Sequence, residues 1–408
     1  MKTFFWFCFA LLIPGLLLRI PVGGAGILAT DIILPIFGAV WLFQKICVQR
    51  EFPQNRYIRP GLIFGCVAFL SFLLGSFELL FKEQILSLAY LIRFFALLIF
   101  GWAATDLFVS EEERALFFRR VFQIVTVIIV LGFLQFFFIP DISSWSVEGG
   151  WDPHTGRLLG TWMDPNFVAG FLGFLLPVIF AALYRSSTSS TRLKLLLLVA
   201  IALLALFLTF SRSGYLSAAI GMGLFFLLRD PKIIMVGIIL ATVGVSVNER
   251  AQKRVTQLAG TVSAIVLQNT DEVDPTASLR IQSWTRSLEL WQKYPMLGIG
   301  YNTYRYRAAE EGIVDENYFS SGGSDSSHLT ILVTTGVIGA LVFLYFFMKL
   351  VLTGLVRYFR TKNEYFLGQS AGLTALFFHA FFVNSLLFPF LFMTFFSIAS
   401  VLENTENE

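Results

Sequence analysis

Three short segments hold residue types that can handle phosphate and protons. The first is Thr209-Phe210-Ser211-Arg212-Ser213-Gly214-Tyr215, a tight turn between two apolar stretches. A guanidinium flanked by Ser211, Ser213 and a glycine can take a phosphate through two hydrogen bonds. An arginine snorkelling to lipid headgroups accounts for Arg212 equally well. The second segment runs from Arg280 to Trp291, then through Tyr294-Pro295 to Gly298-Ile299-Gly300-Tyr301. Ile281, Trp284, Leu288 and Trp291 recur at helical spacing, which predicts an amphipathic helix ended by Pro295. At about 100° per residue, Arg280 falls at the edge of that stripe and Arg286 on the opposite face. With the stripe packed inward, Arg280 reaches a buried site and Arg286 faces water. A solvated surface helix is the plainer alternative. The third segment is Ser324-Asp325-Ser326-Ser327-His328, which opens an apolar run. A carboxylate and an imidazole one helical turn apart, Asp325 and His328, can accept a proton from a hydroxyl. An acidic helix cap and a structural histidine are the bland account of the same residues.

The chain that positions these segments is too apolar for water. Of its 408 residues, 56% are apolar and 14% charged, where soluble domains carry about 25% charged. Such a composition excludes a cytosolic globular enzyme, and 46 phenylalanines exclude a disordered chain. Cys8, Cys47 and Cys66 lie in or beside apolar runs at no metal-ligand spacing, so neither disulfides nor a zinc site are expected. There is no Walker loop, GxGxxG, HExxH or nucleic-acid motif. Neither a cofactor nor a nucleic-acid partner is therefore expected.

A membrane helix needs roughly 20 mostly apolar residues. Twelve such runs are present: 3–19, 26–46, 60–80, 84–105, 118–139, 165–184, 194–210, 213–229, 232–247, 328–348, 364–384 and 386–402. The first lacks a small-x-small cleavage site, so it counts as a helix rather than a signal peptide. Placing the N-terminus in the cytoplasm puts seventeen Lys and Arg residues on that side and four in short outer loops. That bias supports cytoplasmic N- and C-termini. The expected fold is an all-α integral membrane protein of about twelve helices. Residues 1–247 hold nine of them, 248–327 form a long outer loop with the amphipathic helix, and 328–408 hold three more with a tail. A smaller outer loop, 140–164, holds Trp145, Trp151, Asp152, His154, Arg157 and Trp162.

Other polar residues carry weaker signals. Arg93 stands near mid-helix, where an arginine is costly and so functional or paired. Asp164-Pro165-Asn166 reads as a helix cap with proline in the first turn. His379 and Asn384 either line a cavity or bond neighbouring helices. Residues 301–327, rich in Tyr, Ser, Gly and Glu, are expected to be mobile and to cover the site.

Thr209–Gly221 (TFSRSGYLSAAIG), Arg280 with Trp284, Tyr294–Gly300 (YPMLGIG) and Asp325–Gly339 (DSSHLTILVTTGVIG) together resemble the O-antigen ligase and polymerase superfamily. Gly160, Asp164-Pro165-Asn166 and Pro177 fit its pattern as well, so the likeness covers roughly residues 155–345; the first 150 match in style only. The resemblance implies an integral membrane glycosyltransferase similar to the GT-C class, free of metals and nucleotide sugars. It implies a glycan donor on undecaprenyl diphosphate and a glycan acceptor, with the site at the outer face of the bacterial inner membrane. It implies that Arg212 and Arg280 hold the diphosphate. Ser211, Ser213, Arg93, Arg157, Trp284 and Tyr301 are further candidates for substrate contact. A chain-length regulator and a flippase would be accessory partners. Ligases carry His-Asn where this chain has Asp325-Ser326, whereas polymerases and exopolysaccharide members often carry Asp-Ser or Asp-Asn. That departure favours polymerase over ligase and leaves the base open. Alignment selects Asp325, and a pKa near neutrality selects His328.

Two rivals follow. A ligase would use the same chemistry on a lipid-core or protein acceptor. A transporter or flippase would bring internal repeats and broken helices, and the sequence gives no sign of either.

Overall fold

The computed structural model describes residues 1–22, 25–144, 154–249, 252–253, 256, 275–313 and 323–403. In chain order the helices are α1 (Lys2–Ala10), α2 (Ala29–Leu42), α3 (Ile58–Gly75), α4 (Phe81–Leu107) and α5 (Glu111–Phe138). Then come α6 (Pro165–Arg185), α7 (Ser189–Leu208), α8 (Arg212–Arg229) and α9 (Lys232–Ser246). The long loop contributes α10 (Pro275–Lys293) and α11 (Tyr304–Glu310), and the chain closes with α12 (Ser327–Thr361), α13 (Glu364–His379) and α14 (Pro389–Glu403). A π-helical stretch, Phe43–Gln49, prolongs α2. Among the described residues seven helices are long and apolar enough to cross a membrane: prolonged α2, α3, α4, α5, α6, α7 and α12. The architecture is that of an all-α membrane protein.

Helix starts are written locally. Ser110 and Glu113 exchange side-chain and backbone hydrogen bonds, a reciprocal capping box that opens α5. Thr188, Ser211, Ser326 and Asn363 cap α7, α8, α12 and α13 in the simpler way. Aromatic rings fill the space between helices. Phe5 stacks on Phe100 with centroids 4.3 Å apart, and α14 is buried from Pro389 to Leu402.

The first apolar run does not form one helix. α1 stops at Ala10, and Arg19–Val22 pairs antiparallel with Ala25–Leu28 as strands β1 and β2. Pro14 and Gly15 lie inside the run and break a helix. The frayed end is taken up by residues far away: Trp162 Nε1 donates to Leu12 O (2.9 Å) and Thr161 Oγ1 to Ile13 O (2.6 Å).

α12 is broken, against expectation. Gly336 stands at φ 65°, ψ −173° and separates two helical stretches. The freed backbone groups bond to the segment after α10. Ile299 N–H donates to Val333 O (3.0 Å), Val337 N–H to Pro295 O (2.9 Å) and Ile338 N–H to Met296 O (3.3 Å). The Ser71 hydroxyl lies 2.6 Å from both Leu297 O and Thr334 O. Irregular backbone within a membrane bundle survives only where protein satisfies it. Side chains would block the fit: a Cβ on Gly336 would stand 2.1 Å from Met296 O, and one on Gly298 2.4 Å from Val333 O. The apolar run through Gly336 is continuous, so composition hides the break.

The segment expected to be a mobile cover is in part built into the fold. Tyr301, Thr303, Tyr304, Tyr306 and Ala308 are buried. Arg307 ties α11 to the α3–α4 turn through Gly75 O (2.8 and 3.1 Å) and Glu78 (2.7 Å). Residues 314–322 of that segment, with Trp145, Trp151 and Asp152, lie outside the described residues.

Many of the seventeen cations gather at the opposite end of the bundle. Lys45 bonds Asp106 at 2.6 Å, Arg56 bonds Glu403 at 3.3 Å, and Lys2 pairs with Glu113. Arg185 and Arg229 share Glu364 at 3.8 and 3.1 Å.

Candidate active site

One wall of the site is the start of α6. The Asp164 carboxylate accepts from Asn166 N–H at 2.6 Å, with Pro165 in the first turn. That cap turns the Asn166 side chain toward two other segments. Asn166 Oδ1 accepts from Ser211 Oγ (2.8 Å) and from Arg157 Nη2 (3.3 Å). Ser211 caps α8, lies 3.2 Å from Ser213 Oγ and so fixes Arg212 as the first residue of that helix. Phe210 stands at φ 48°, a left-handed conformation uncommon for a bulky residue. The α7–α8 turn is as tight as its sequence suggests. Arg157 Nε donates to Thr209 O (2.7 Å) and Leu158 N–H to Leu208 O (2.9 Å). Both carbonyls are left over at the end of α7, where a cation is also favoured by the helix dipole.

The second wall is α10 against the start of α12. Asp325 N–H donates to Ser283 Oγ at 3.1 Å. Ser283 lies three residues beyond Arg280, on the same side of α10. One turn further on, Ser287 is fully buried and meets the Tyr304 hydroxyl at 2.9 Å. The buried seam of α10 therefore follows Ser283, Ser287 and Leu290, while Leu288 stays 39% exposed. The helix is rotated from its apolar stripe because hydroxyl contacts set its facing. Ile281 and Trp284 end half-buried, with Trp284 6.1 Å from Phe382. Arg286 is half-buried, with its charge acting on Tyr304, rather than facing water.

Asp325 is not the helix cap. That role falls to Ser326, whose Oγ accepts from Leu329 N–H and donates to Ala380 O (3.2 Å). Burial pushes the Asp325 carboxyl above the usual carboxylate range; the Arg280 guanidinium pulls it back, and Asp164 pushes it further up. Two other segments thus bring Arg280 and Asp164 within electrostatic reach of Asp325. His328 faces elsewhere. Its Nε2 lies 3.0 Å from Phe377 O, and its ring centroid 4.6 Å from Phe377 and 4.4 Å from Phe381.

Buried polar atoms without hydrogen-bond partners concentrate around this corner. Among the described residues they include Trp284 Nε1, Ser324 Oγ, Asn384 Oδ1 and both ring nitrogens of His379. Such atoms are few in native proteins, so a concentration marks a place built for a polar ligand or water. His379 is fully buried and lies within reach of the Arg280 charge. Its ring approaches the Asn166 backbone without hydrogen-bond geometry and sits where a Cβ on Gly170 would stand 2.8 Å away.

Arg93 belongs to a neighbouring lobe. Its Nε and Nη2 each lie 2.5 Å from an Asp31 oxygen, and Nη2 also donates to Gly26 O at 3.1 Å. It lines a cavity of about 200 Å³ together with Tyr90, Tyr301, Asn302, Thr330 and Asn384. Tyr301 is buried and packs on Phe64, 6.4 Å between centroids.

The sequence motifs locate Arg212, Arg280 and Asp325, each on a wall of this corner. They understate Asn166, which joins the start of α6 to the α7–α8 turn, and miss Ser283. Asn166 shows in sequence only as part of a cap, and Ser283 only through its spacing from Arg280. Arg157 emerges as a bracket for the α7–α8 turn. A family model described as O-antigen ligase matches residues 196–344, a range that contains Arg212, Arg280, Asp325 and His328. The match bears out the resemblance to the O-antigen ligase and polymerase superfamily and begins later than residue 155. No curated protein matches the chain.

Proposed function

With residues 196–344 matching the O-antigen ligase model, we propose that this chain is a polysaccharide polymerase of the cell envelope. It moves a glycan from undecaprenyl diphosphate onto a hydroxyl of a second lipid-linked repeat unit. The observation that carries the reading is the reach of Arg280 and Asp164 to Asp325, beside the Ser211–Asn166 bond at the start of the helix that Arg212 opens.

Asp325 accepts the proton of the acceptor hydroxyl, whose oxygen bonds to the anomeric carbon. The bond from that carbon to the diphosphate oxygen breaks, and undecaprenyl diphosphate leaves. Arg212 and Arg280 stabilise the charge that builds on the leaving group. An ionised carboxylate whose pKa is raised by burial is a better base than an exposed one, and the Arg280 guanidinium favours its ionised form. His328 shapes the α12–α13 contact. We place both termini in the cytoplasm and this corner at the outer face of the inner membrane. The seventeen-to-four charge bias supports that orientation.

The test is purified protein with a lipid-linked donor and acceptor and no energy source. Elongation supports the reading, and its absence from active-looking preparations removes it in favour of a transporter. In cells, a deletion strain of a polymerase accumulates single lipid-linked units, whereas that of a ligase accumulates long lipid-linked chains.

A further inference from the structure

Next to Asp325 lies a space that the transfer step leaves unused. It is the cavity of about 200 Å³ between α4, the start of α6, the segment after α10, α12 and α14. The segment that carries Asp325 passes along it. Ser324 N–H donates to the Thr330 hydroxyl (3.1 Å), which donates back to Ser324 O (3.3 Å). A Cβ on Gly323 would stand 3.2 Å from Thr330 Oγ1 and 3.3 Å from Asn384 Nδ2. Thr330 and Asn384 both line the cavity. The Ser-Arg-Ser turn lies on another side of α6. Asn166 accepts from Ser211 and Arg157 there, whereas Phe167, about 100° further round the helix, lines the cavity.

The lining is neutral and two-sided. Among the described lining residues Arg93 alone carries a formal charge, and Asp31 accepts from its Nε and Nη2 at 2.5 Å. Asn302, Thr334 and Asn384 supply polar lining, and Asn384 Oδ1 is buried without a partner. An amide oxygen in that state gains most from a hydroxyl that donates to it. The rest is largely aromatic. Phe167 and Phe388 stack at 3.9 Å, 5° from parallel, and Tyr301 packs on Phe64. A cavity lined by apolar groups alone stays dry, and a phosphate site calls for charge that is not already paired. Amides beside aromatic rings suit a pyranose, whose hydroxyls ring its edge and whose C–H groups cover its faces. At about 200 Å³ the space is smaller than the roughly 300–1,000 Å³ of pockets for drug-sized ligands. It holds one sugar ring and no phosphate besides.

We infer that this cavity is a specificity subsite for one uncharged sugar, the terminal residue of the acceptor, whose hydroxyl it turns toward Asp325. The inference rests on the transferase reading above and deepens it by naming the acceptor's place. Asn384 selects the sugar, because its amide oxygen gains a partner only when a hydroxyl donates to it. The donor's diphosphate stays with the Ser-Arg-Ser turn, on the other side of the start of α6.

The experiment measures acceptor and donor kinetics in purified protein for wild type, Asn384→Leu, which removes the amide, and Leu387→Phe, which adds a ring to the cavity. Asn384→Ser, which shortens the side chain and adds no carbon, keeps the test open should either of these fail to fold. Methyl glycosides of the sugars in the strain's own polysaccharide serve as probes without lipid or phosphate. The expected result is a rise of about tenfold in acceptor KM in each variant, the worth of one hydrogen bond, with donor KM and kcat within about twofold. One glycoside should inhibit the wild type in competition with the acceptor, and its inhibition constant should rise by the same factor in the variants. An unchanged acceptor KM in a folded variant, or a fall confined to kcat, overturns the subsite. So does a glycoside that competes with the donor, or the lack of any that competes with the acceptor. In each of these cases transfer by the wild type persists and the parent reading stands. No transfer by the wild type removes the parent reading and the subsite with it.

Discussion

The two ends of the bundle use charge differently. At the end that holds α5 and the α12–α13 turn, cations meet carboxylates closely: Lys45 with Asp106, Arg56 with Glu403, Arg185 and Arg229 with Glu364. These pairs clamp helix ends to one another. At the other end, Arg280 and Asp164 act on the Asp325 carboxyl, and Arg93 pairs with Asp31. Among the described residues, partnerless buried polar atoms of Trp284, Ser324, His379 and Asn384 lie around Asp325, against Ser186 Oγ and Glu403 Oε2 at the first end. Close ion pairs between helix ends serve stability, while a corner of buried polar atoms without partners suits a hydroxyl-rich ligand.

The largest effect that can break this contrast is at Asp325. Asp325→Asn should lower the transfer rate about 10²- to 10⁴-fold, as loss of a general base does, with little change in thermal stability. Near-normal turnover would place the base elsewhere. Next, Arg280→Ala or Arg212→Ala should cost about 10²- to 10³-fold in kcat, the range for one electrostatic stabiliser of a leaving group. Normal polymer length from well-expressed variants would end the two-arginine account. At the opposite end the expectation inverts. Lys45→Met should lower stability by about 1–3 kcal/mol, since Asp106 stays largely buried without its cation. Its turnover should stay within about twofold, because no charge near the chemistry changes.

The smallest effect sharpens the contrast through pH. The Asp325 carboxyl is raised by burial and by Asp164, so turnover should fall on acidification at a pH above the ordinary carboxylate range. Asp164→Asn keeps a helix cap but removes a like charge, so this acid limb should move to lower pH. In the residual activity of Arg280→Gln the limb should move to higher pH, because the opposing cation is gone. A pH–rate profile that moves the other way in either variant would contradict the arrangement.

Some of the site was legible in the residues themselves. Arg212 and Ser211 sit in a short polar turn between apolar runs, Arg280 falls at the edge of an apolar stripe, and Asp325 marks an element start. Each of these signals is local. Others were not legible, because their partners lie far off in the chain. Asp325 looked like a cap until Ser326 took that place, and His328 looked like its companion until Phe377 and Phe381 enclosed it. The apolar stripe on α10 misjudged its facing because Ser287 and Tyr304 share a hydrogen bond across the loop.

The sequence by itself determined the membrane-spanning character, the helix starts and the cation bias, because composition, capping residues and apolar runs act within their own segments. Only tertiary structure decided the hairpin after α1, the break at Gly336 and the approach of Arg280 and Asp164 to Asp325. Backbone groups left open in one segment must find partners elsewhere, and which partner is near depends on how the helices pack.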